Sequence, residues 1–327
     1  MARSVKKART DPTATSRRRR LAVVGLIIFV IADIILVAWA ATASRTPHES
    51  TSAATTSRPT ASATKSATPT PTPTPTATTA PVADAVAPTR LLAVLDNNTA
   101  WRAATGPCPA TPAVAEITTD GGANWKQSDA SGPTGASSLI RLTVQSGTQA
   151  SAIALTAQGC SPEFIRTYVA GDNWATYADQ LPGAWYANPG TGGTVHSPTG
   201  DVPAPCPAVV GLAVSAGSNA AVLCANHDVY RTTDNGASWG SAQNVPAAVA
   251  ITALDSGYVV ASVGAEGCAG TSIAGIDGGN GGPGALACVG SGQPAAGTVA
   301  IAAGTGTVWL WAGDALARST DGGKTWS

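Results

Sequence analysis

The chain has little of what most reactive sites are built from. Three histidines occur in 327 residues, His48, His196 and His227, with one methionine and two phenylalanines. So few imidazoles leave no apparent Ser-His-Asp arrangement, and no spacing suits a zinc site. Residues 81–327 hold eight basic side chains against sixteen acidic ones. That region lacks the basic footprint of a nucleic-acid binder. Apolar 3.6-residue periodicity is missing outside one N-terminal run, which excludes a helical solenoid. Cysteine is absent from residues 1–80, and all six cysteines lie beyond them.

The formal charge of zero averages three unlike regions. Residues 1–20 carry eight basic and one acidic side chain and end on "SRRRR". Residues 21–43, "LAVVGLIIFVIADIILVAWAATA", contain one charge, Asp33. At about 1.5 Å per residue such a helix spans a bilayer, and the basic flank keeps the N-terminus cytoplasmic. The rival reading is a signal peptide cleaved after Ala41–Ala43, but the run exceeds the usual signal core. Residues 44–80 are mostly Ser, Thr, Pro and Ala, including "TPTPTPTPTATTA". They have too few apolar groups to fold and read as a disordered, extended stalk. The expected order is basic tail 1–20, transmembrane helix 21–43, stalk 44–80 and one large domain, 81–327. The domain then sits outside the membrane, where an even number of cysteines implies disulfides. Scarce aromatics beside abundant Ala, Gly and Thr point to a bacterial, GC-rich genome.

A motif recurs in the large domain. "ITTDGGANWK", "RTTDNGASWG" and "RSTDGGKTWS" share Ser/Thr-x-Asp-x-Gly-x-x-Trp. The full copies are Thr118, Asp120, Gly122, Trp125; Thr232, Asp234, Gly236, Trp239; and Ser319, Asp321, Gly323, Trp326. One damaged copy keeps Thr167, Gly171 and Trp174 but has Val169 in the Asp position, and another keeps Asp277 and Gly279. Each copy follows three β-rich runs; in the first, these are "LLAVL", "TAWRA" and "AVAEIT". A fourth strand is expected after each tryptophan. Four short strands in a unit of about 40–50 residues is the propeller pattern. Five units predict an all-β propeller of five four-stranded blades. The Trp174–Trp239 interval is longer than the others and contains an insertion.

The motif resembles the Asp-box (BNR) repeat of sialidase-, sortilin- and photosystem-assembly-factor-type β-propellers. The resemblance implies a turn joining the third strand to the fourth, with no catalytic duty. Gly supplies positive φ, the Asp and Ser/Thr oxygens bond turn N–H groups, and Trp covers the turn. Calcium is not expected, because each copy offers one carboxylate where the ion takes six to eight oxygens. The last blade, ending on Trp326, is expected to borrow its fourth strand from residues 82–86.

Strands that alternate in direction put the one–two loops and three–four turns on one face of a propeller. The other loops lie on the second face, and so do Cys108, Cys160, Cys206, Cys224, Cys268 and Cys288. Cys206 and Cys224 flank one hairpin, Cys268 and Cys288 another, and Cys108 and Cys160 occupy matching positions of neighbouring blades. The longest loop, residues 178–208, is also there, so binding is expected on the second face, with Trp185, Tyr186 and His196 as candidate contacts. A local hairpin core is the alternative role for these three. A sialidase would need an arginine cluster. Arg166, Arg231 and Arg318 precede the repeated motif in outer strands, leaving Arg90, Arg102 and Arg141; the Arg-Ile-Pro signature is missing, and Tyr258 and Glu266 make a forced Tyr/Glu pair. The expected function is a membrane-anchored, extracytoplasmic, non-catalytic binding or assembly module for protein or carbohydrate, without cofactor. The alternatives are a degenerate sialidase-like glycoside hydrolase and a receptor ectodomain.

Overall fold

The computed structural model describes residues 83–277 and 282–327. The apolar run 21–43, the stalk and Gly279 lie outside the described residues. No helix among the described residues is long and apolar enough to cross a membrane.

Blade 1 consists of β1 (Arg90–Val94), β2 (Ala100–Ala104), β3 (Val114–Thr118) and β4 (Lys126–Asp129). Blade 2 is β5 (Ala136–Val144), β6 (Ala150–Thr156), β7 (Pro162–Thr167) and β8 (Ala175–Thr176). A hairpin follows, β9 (Thr194–Ser197) and β10 (Gly200–Pro203). Blade 3 is β11 (Val209–Val214), β12 (Ala220–Cys224), β13 (Asp228–Thr232) and β14 (Gln243–Asn244). Blade 4 is β15 (Ala248–Ala253), β16 (Tyr258–Val263), β17 (Thr271–Ile276) and β18 (Gly284–Val289). Blade 5 has three strands, β19 (Val299–Gly304), β20 (Thr307–Ala312) and β21 (Ala315–Ser319). Within every blade the strands follow chain order and each pair is antiparallel.

The sequence explains why these sheets stack. The second strands of blades 2, 3 and 4 are nearly continuous apolar runs rich in alanine and valine, "ASAIALT", "AAVLC" and "YVVASV", and they are buried almost throughout. A strand buried on both faces needs no polar alternation. Its alanines let adjacent blades approach closely. One apolar cluster joins blades 1 and 2 around Trp101, Leu139, Ile165 and Trp174. Others join blades 3 and 4, blades 4 and 5, and blades 5 and 1. The inner strands β1, β15 and β19 pack side by side, as do β1 with β5 and β11 with β15. Five blades around one axis form a β-propeller.

Blades 2 and 3 meet differently. Among the described residues no core cluster joins them directly, and residues of the insertion pack on each. Tyr186 packs on Ile153 and Phe164 of blade 2, while its neighbour Trp185 packs on Ala220 and Val222 of blade 3. The wedge occupies a blade's place. The motif glycine of each full copy presses on the preceding blade: Gly122 on Leu316 and Gly323 on Ile273 and Leu286. Gly236 of blade 3 presses instead on Val202 of the hairpin.

Of the segment 82–86, the described residues 83–86 do not complete blade 5. Ala85 N–H bonds the Ala225 carbonyl at 2.7 Å, and Thr89 N–H bonds Gly297 at 2.9 Å. Residues 83–89 therefore form a strap across the second face, from blade 3 to the junction of blades 5 and 1. The buried His227 ring draws them there. Its Nδ1 faces the Ala248 carbonyl and its Nε2 the Ala83 carbonyl, both at 2.9 Å. In the fourth-strand position of blade 5, Ser327 exchanges two backbone hydrogen bonds with Arg318.

Candidate functional site

The repeated turns are closed hydrogen-bond rings. In blade 1 the Thr118 hydroxyl donates to Asp120 Oδ1 (2.8 Å) and accepts from Gly122 N–H (2.9 Å). Asp120 Oδ1 also accepts from Asn124 N–H (2.9 Å), and Oδ2 from the Asn124 side chain (2.7 Å). Blade 3 repeats the ring with Thr232, Asp234, Gly236 and Ser238, and blade 5 with Ser319, Asp321, Gly323 and Thr325. Gly122 and Gly323 sit at φ 88° and 92°, where a side chain would be strained. The polar residue just before each tryptophan closes the ring, a role the eight-residue template leaves blank. The Asn124 amide and backbone, then the Thr118 hydroxyl, lower the pKa of Asp120 to about 2. Ser238 and Thr232 do the same for Asp234, also to about 2, and Thr325 and Ser319 depress Asp321 further. Each carboxylate is saturated by its own turn, and among the described residues no cluster of potential metal ligands occurs.

The tryptophans divide into two roles. Trp125 and Trp326 donate to their own turns, at Gly122 and Gly323. Trp174 reaches back to Ser128 of blade 1 and stands edge-on to Trp101, and Trp239 donates to Pro203 of the hairpin. In the damaged copy Thr167 still accepts from Val169 N–H at 3.3 Å and Gly171 N–H at 3.0 Å, and Trp174 is buried. Asp277 accepts through its carbonyl from Arg231.

The three disulfides are Cys108–Cys160, Cys206–Cys224 and Cys268–Cys288, and among the described residues no cysteine is free. All lie toward the second face. A cleft lies toward the first face. The long loop folds down as the wedge, and the strap crosses the second face. Tyr186 and His196 stack at 4.5 Å and pair through their backbones, while His196 Nδ1 lies 2.6 Å from Asp201 Oδ1. These two build the hairpin core. Trp185 alone of the three expected contacts reaches the cleft.

The cleft has a volume of about 220 Å³ and lies between blade 2 and the wedge. Arg141, Gln145, Ser151, Phe164, Arg166 and Trp185 form much of its wall, and no carboxylate lines it. Arg141, on the inner strand β5, makes one long hydrogen bond, 3.5 Å, to the Leu212 carbonyl of blade 3. Loss of hydration lowers its pKa to about 10, so it stays charged at neutral pH. Arg166 lies over Phe164 and Tyr168 and donates to the Tyr168 hydroxyl; its Nε is buried without a hydrogen-bond partner, as is Trp185 Nε1.

Arg90 and Arg102 are elsewhere. Both stack on Trp311 at the junction of blades 5 and 1, and Arg102 also stacks on Trp125 and pairs with Glu116. Arg90 donates to the Gly313 carbonyl. Tyr258 opens β16 and is buried, whereas Glu266 is exposed beyond the other end of that strand. At about 3.3 Å per residue they stand more than 15 Å apart, too far to act as a catalytic pair.

No protein-family model and no curated protein matches the sequence. Solved structures resemble its fold. YCF48 bound to D1 peptide aligns over 76% of this chain and 68% of its own at 17% identity, with a TM-score of 0.27. YCF48 from Cyanidioschyzon merolae aligns over 76% and 86% at 15% identity, with a TM-score of 0.37. A mutant of the Aleuria aurantia lectin in complex with Fucα1-6GlcNAc aligns over 73% and 94% at 13% identity, with a TM-score of 0.46.

Proposed function

We propose that the chain is a membrane-anchored, extracytoplasmic Asp-box propeller that binds a protein or carbohydrate without catalysing a reaction. The observation that carries the reading is the cleft beside blade 2. It offers cations and hydrogen-bonding groups on a closed, rigid ring, the setting in which loops and clefts bind. Three disulfides favour an oxidising compartment, and the apolar run behind a basic segment favours an uncleaved anchor. The turns read as structural Asp boxes because their carboxylates are already satisfied. A glycosidase reading is weakened by the dispersal of Arg90, Arg102 and Arg141 and by the separation of Tyr258 from Glu266.

Protease added to intact cells should remove the large domain and spare the basic tail. A domain released into the medium, with an N-terminus near Ser44, would sink the anchor. The purified chain should leave aryl glycosides unhydrolysed; turnover at a rate abolished by substitution in the cleft would replace the binding reading with an enzymatic one.

A further inference from the structure

Arginine precedes three of the repeated turns, at Arg166, Arg231 and Arg318, and in two of them it has the same task. Arg318 of blade 5 donates to the Asn97 carbonyl of blade 1 at 3.0 Å, and Arg231 of blade 3 donates to the Asp277 carbonyl of blade 4 at 2.7 Å. Each crosses to a loop of the following blade. Arg166 of blade 2 occupies the same position, but the unit that follows it is the two-stranded wedge. Among the described residues its hydrogen bond ends on Tyr168 of its own blade. The wedge is too small to supply the next acceptor, and the space left is the cleft. Arg141 reaches the same space from the inner strand. Two guanidinium groups thus face a cleft without a carboxylate, and a desolvated cation without a counter-charge is costly.

We propose that this cleft binds the carboxylate of an acidic sugar residue, a hexuronate, with Arg141 as its principal anchor and Arg166 as a second positive charge. The proposal deepens the binding reading and rests on it. A guanidinium presents paired donors that match a carboxylate. The rest of the wall suits a sugar ring. Thr143, Gln145 and Ser151 offer neutral hydrogen-bonding groups, and Trp185, Phe164 and Val214 offer apolar surface. A volume of about 220 Å³ falls below the roughly 300–1,000 Å³ of sites for larger ligands, so a single ring is the appropriate size.

The test is titration calorimetry of the detergent-solubilised full chain with methyl glucuronoside, methyl glucoside, acetate and a glutamate-rich peptide. Methyl glucuronoside should bind, with methyl glucoside and acetate weaker by about tenfold or more, the scale of one lost charge-assisted contact. Arg141→Gln should remove binding. Thr143→Glu is the second variant, because Thr143 is exposed and tolerates change; the new carboxylate should occupy Arg141 and compete the ligand away. If Arg141→Gln fails to fold, Thr143→Glu decides. No binding of methyl glucuronoside at millimolar concentration, or binding unaffected by Thr143→Glu, overturns the proposal. Equal or tighter binding of acetate or the peptide overturns the sugar assignment. Failure here leaves the topology and turnover measurements standing, whereas hydrolysis of an aryl glucuronide would overturn the non-catalytic reading and keep the site.

Discussion

At the scale of single residues, the repeated aspartates are the most testable feature. Asp120 and Asp234 have folded pKa values of about 2 against an ordinary 3.8, set by hydrogen bonds to the ionised form. A depressed folded pKa means that their stabilisation is complete above about pH 4 and is lost as the pH falls toward 2. The melting temperature should therefore drop across that window, and the drop should shrink when Asp120 and Asp234 are both replaced by Asn. Asp321→Ala should lower the melting temperature at neutral pH and leave it insensitive to added calcium. A calcium-dependent increase in the wild type that disappears in the variant would restore a metal-binding role. The Asp, Gly and Ser/Thr of these turns are legible in sequence because the same local ring forms wherever they recur. Arg141 and His227 are not. Their partners, Leu212 and Ala83, lie 71 and 144 residues away, and nothing in the local pattern announces them.

Among elements, the wedge accounts for the one irregular interval of the repeat. Trp185 is 6% exposed and packs against blade 3. Its replacement by Ala should cost about 3–5 kcal/mol in denaturant unfolding. A loss below about 1 kcal/mol would show that the wedge is not needed to hold blades 2 and 3 together. The disulfides should differ according to the loops they close. Cys108–Cys160 spans 52 residues, and the other two span 18 and 20. The chain-entropy relation gives about 4 kcal/mol for the first and about 3 kcal/mol for each of the others. Pairwise replacement by Ser, followed by equilibrium unfolding, checks that order. The first three strands of every blade are visible in the sequence as β-rich runs between turn residues. The fourth are less so: β8 and β14 are two residues each, too short for alternation to register. The hairpin was equally hidden, since "TVHS" and "GDVP" draw their burial from blade 3 rather than from their own composition.

For the whole molecule, ring closure was the feature misjudged from sequence. The expectation that residues 82–86 pair with the last blade gave way to bonds with Ala225 and His227 of blade 3. Deleting residues up to Thr89 removes the bonds of Ala83 to His227 and of Ala85 to Ala225, the two from Thr89 to Gly297 and the one from Thr105 to Thr89, and should cost about 5 kcal/mol at roughly 1 kcal/mol per bond. Deleting residues 44–80 should leave the unfolding midpoint unchanged. Equal midpoints for the two truncations would mean that the strap contributes nothing. The strap also sets how a pull on the domain is carried. Tension arriving through Ala83 first loads the His227 and Ala225 bonds at blade 3, then the Thr89 bonds at Gly297, and only afterwards the strand β1. These attachments lie one after another along the chain, so they would part in sequence, each break lengthening the tether by a few residues while the ring stays whole. The domain is thus entered through attachments that yield one at a time, ahead of the ring itself.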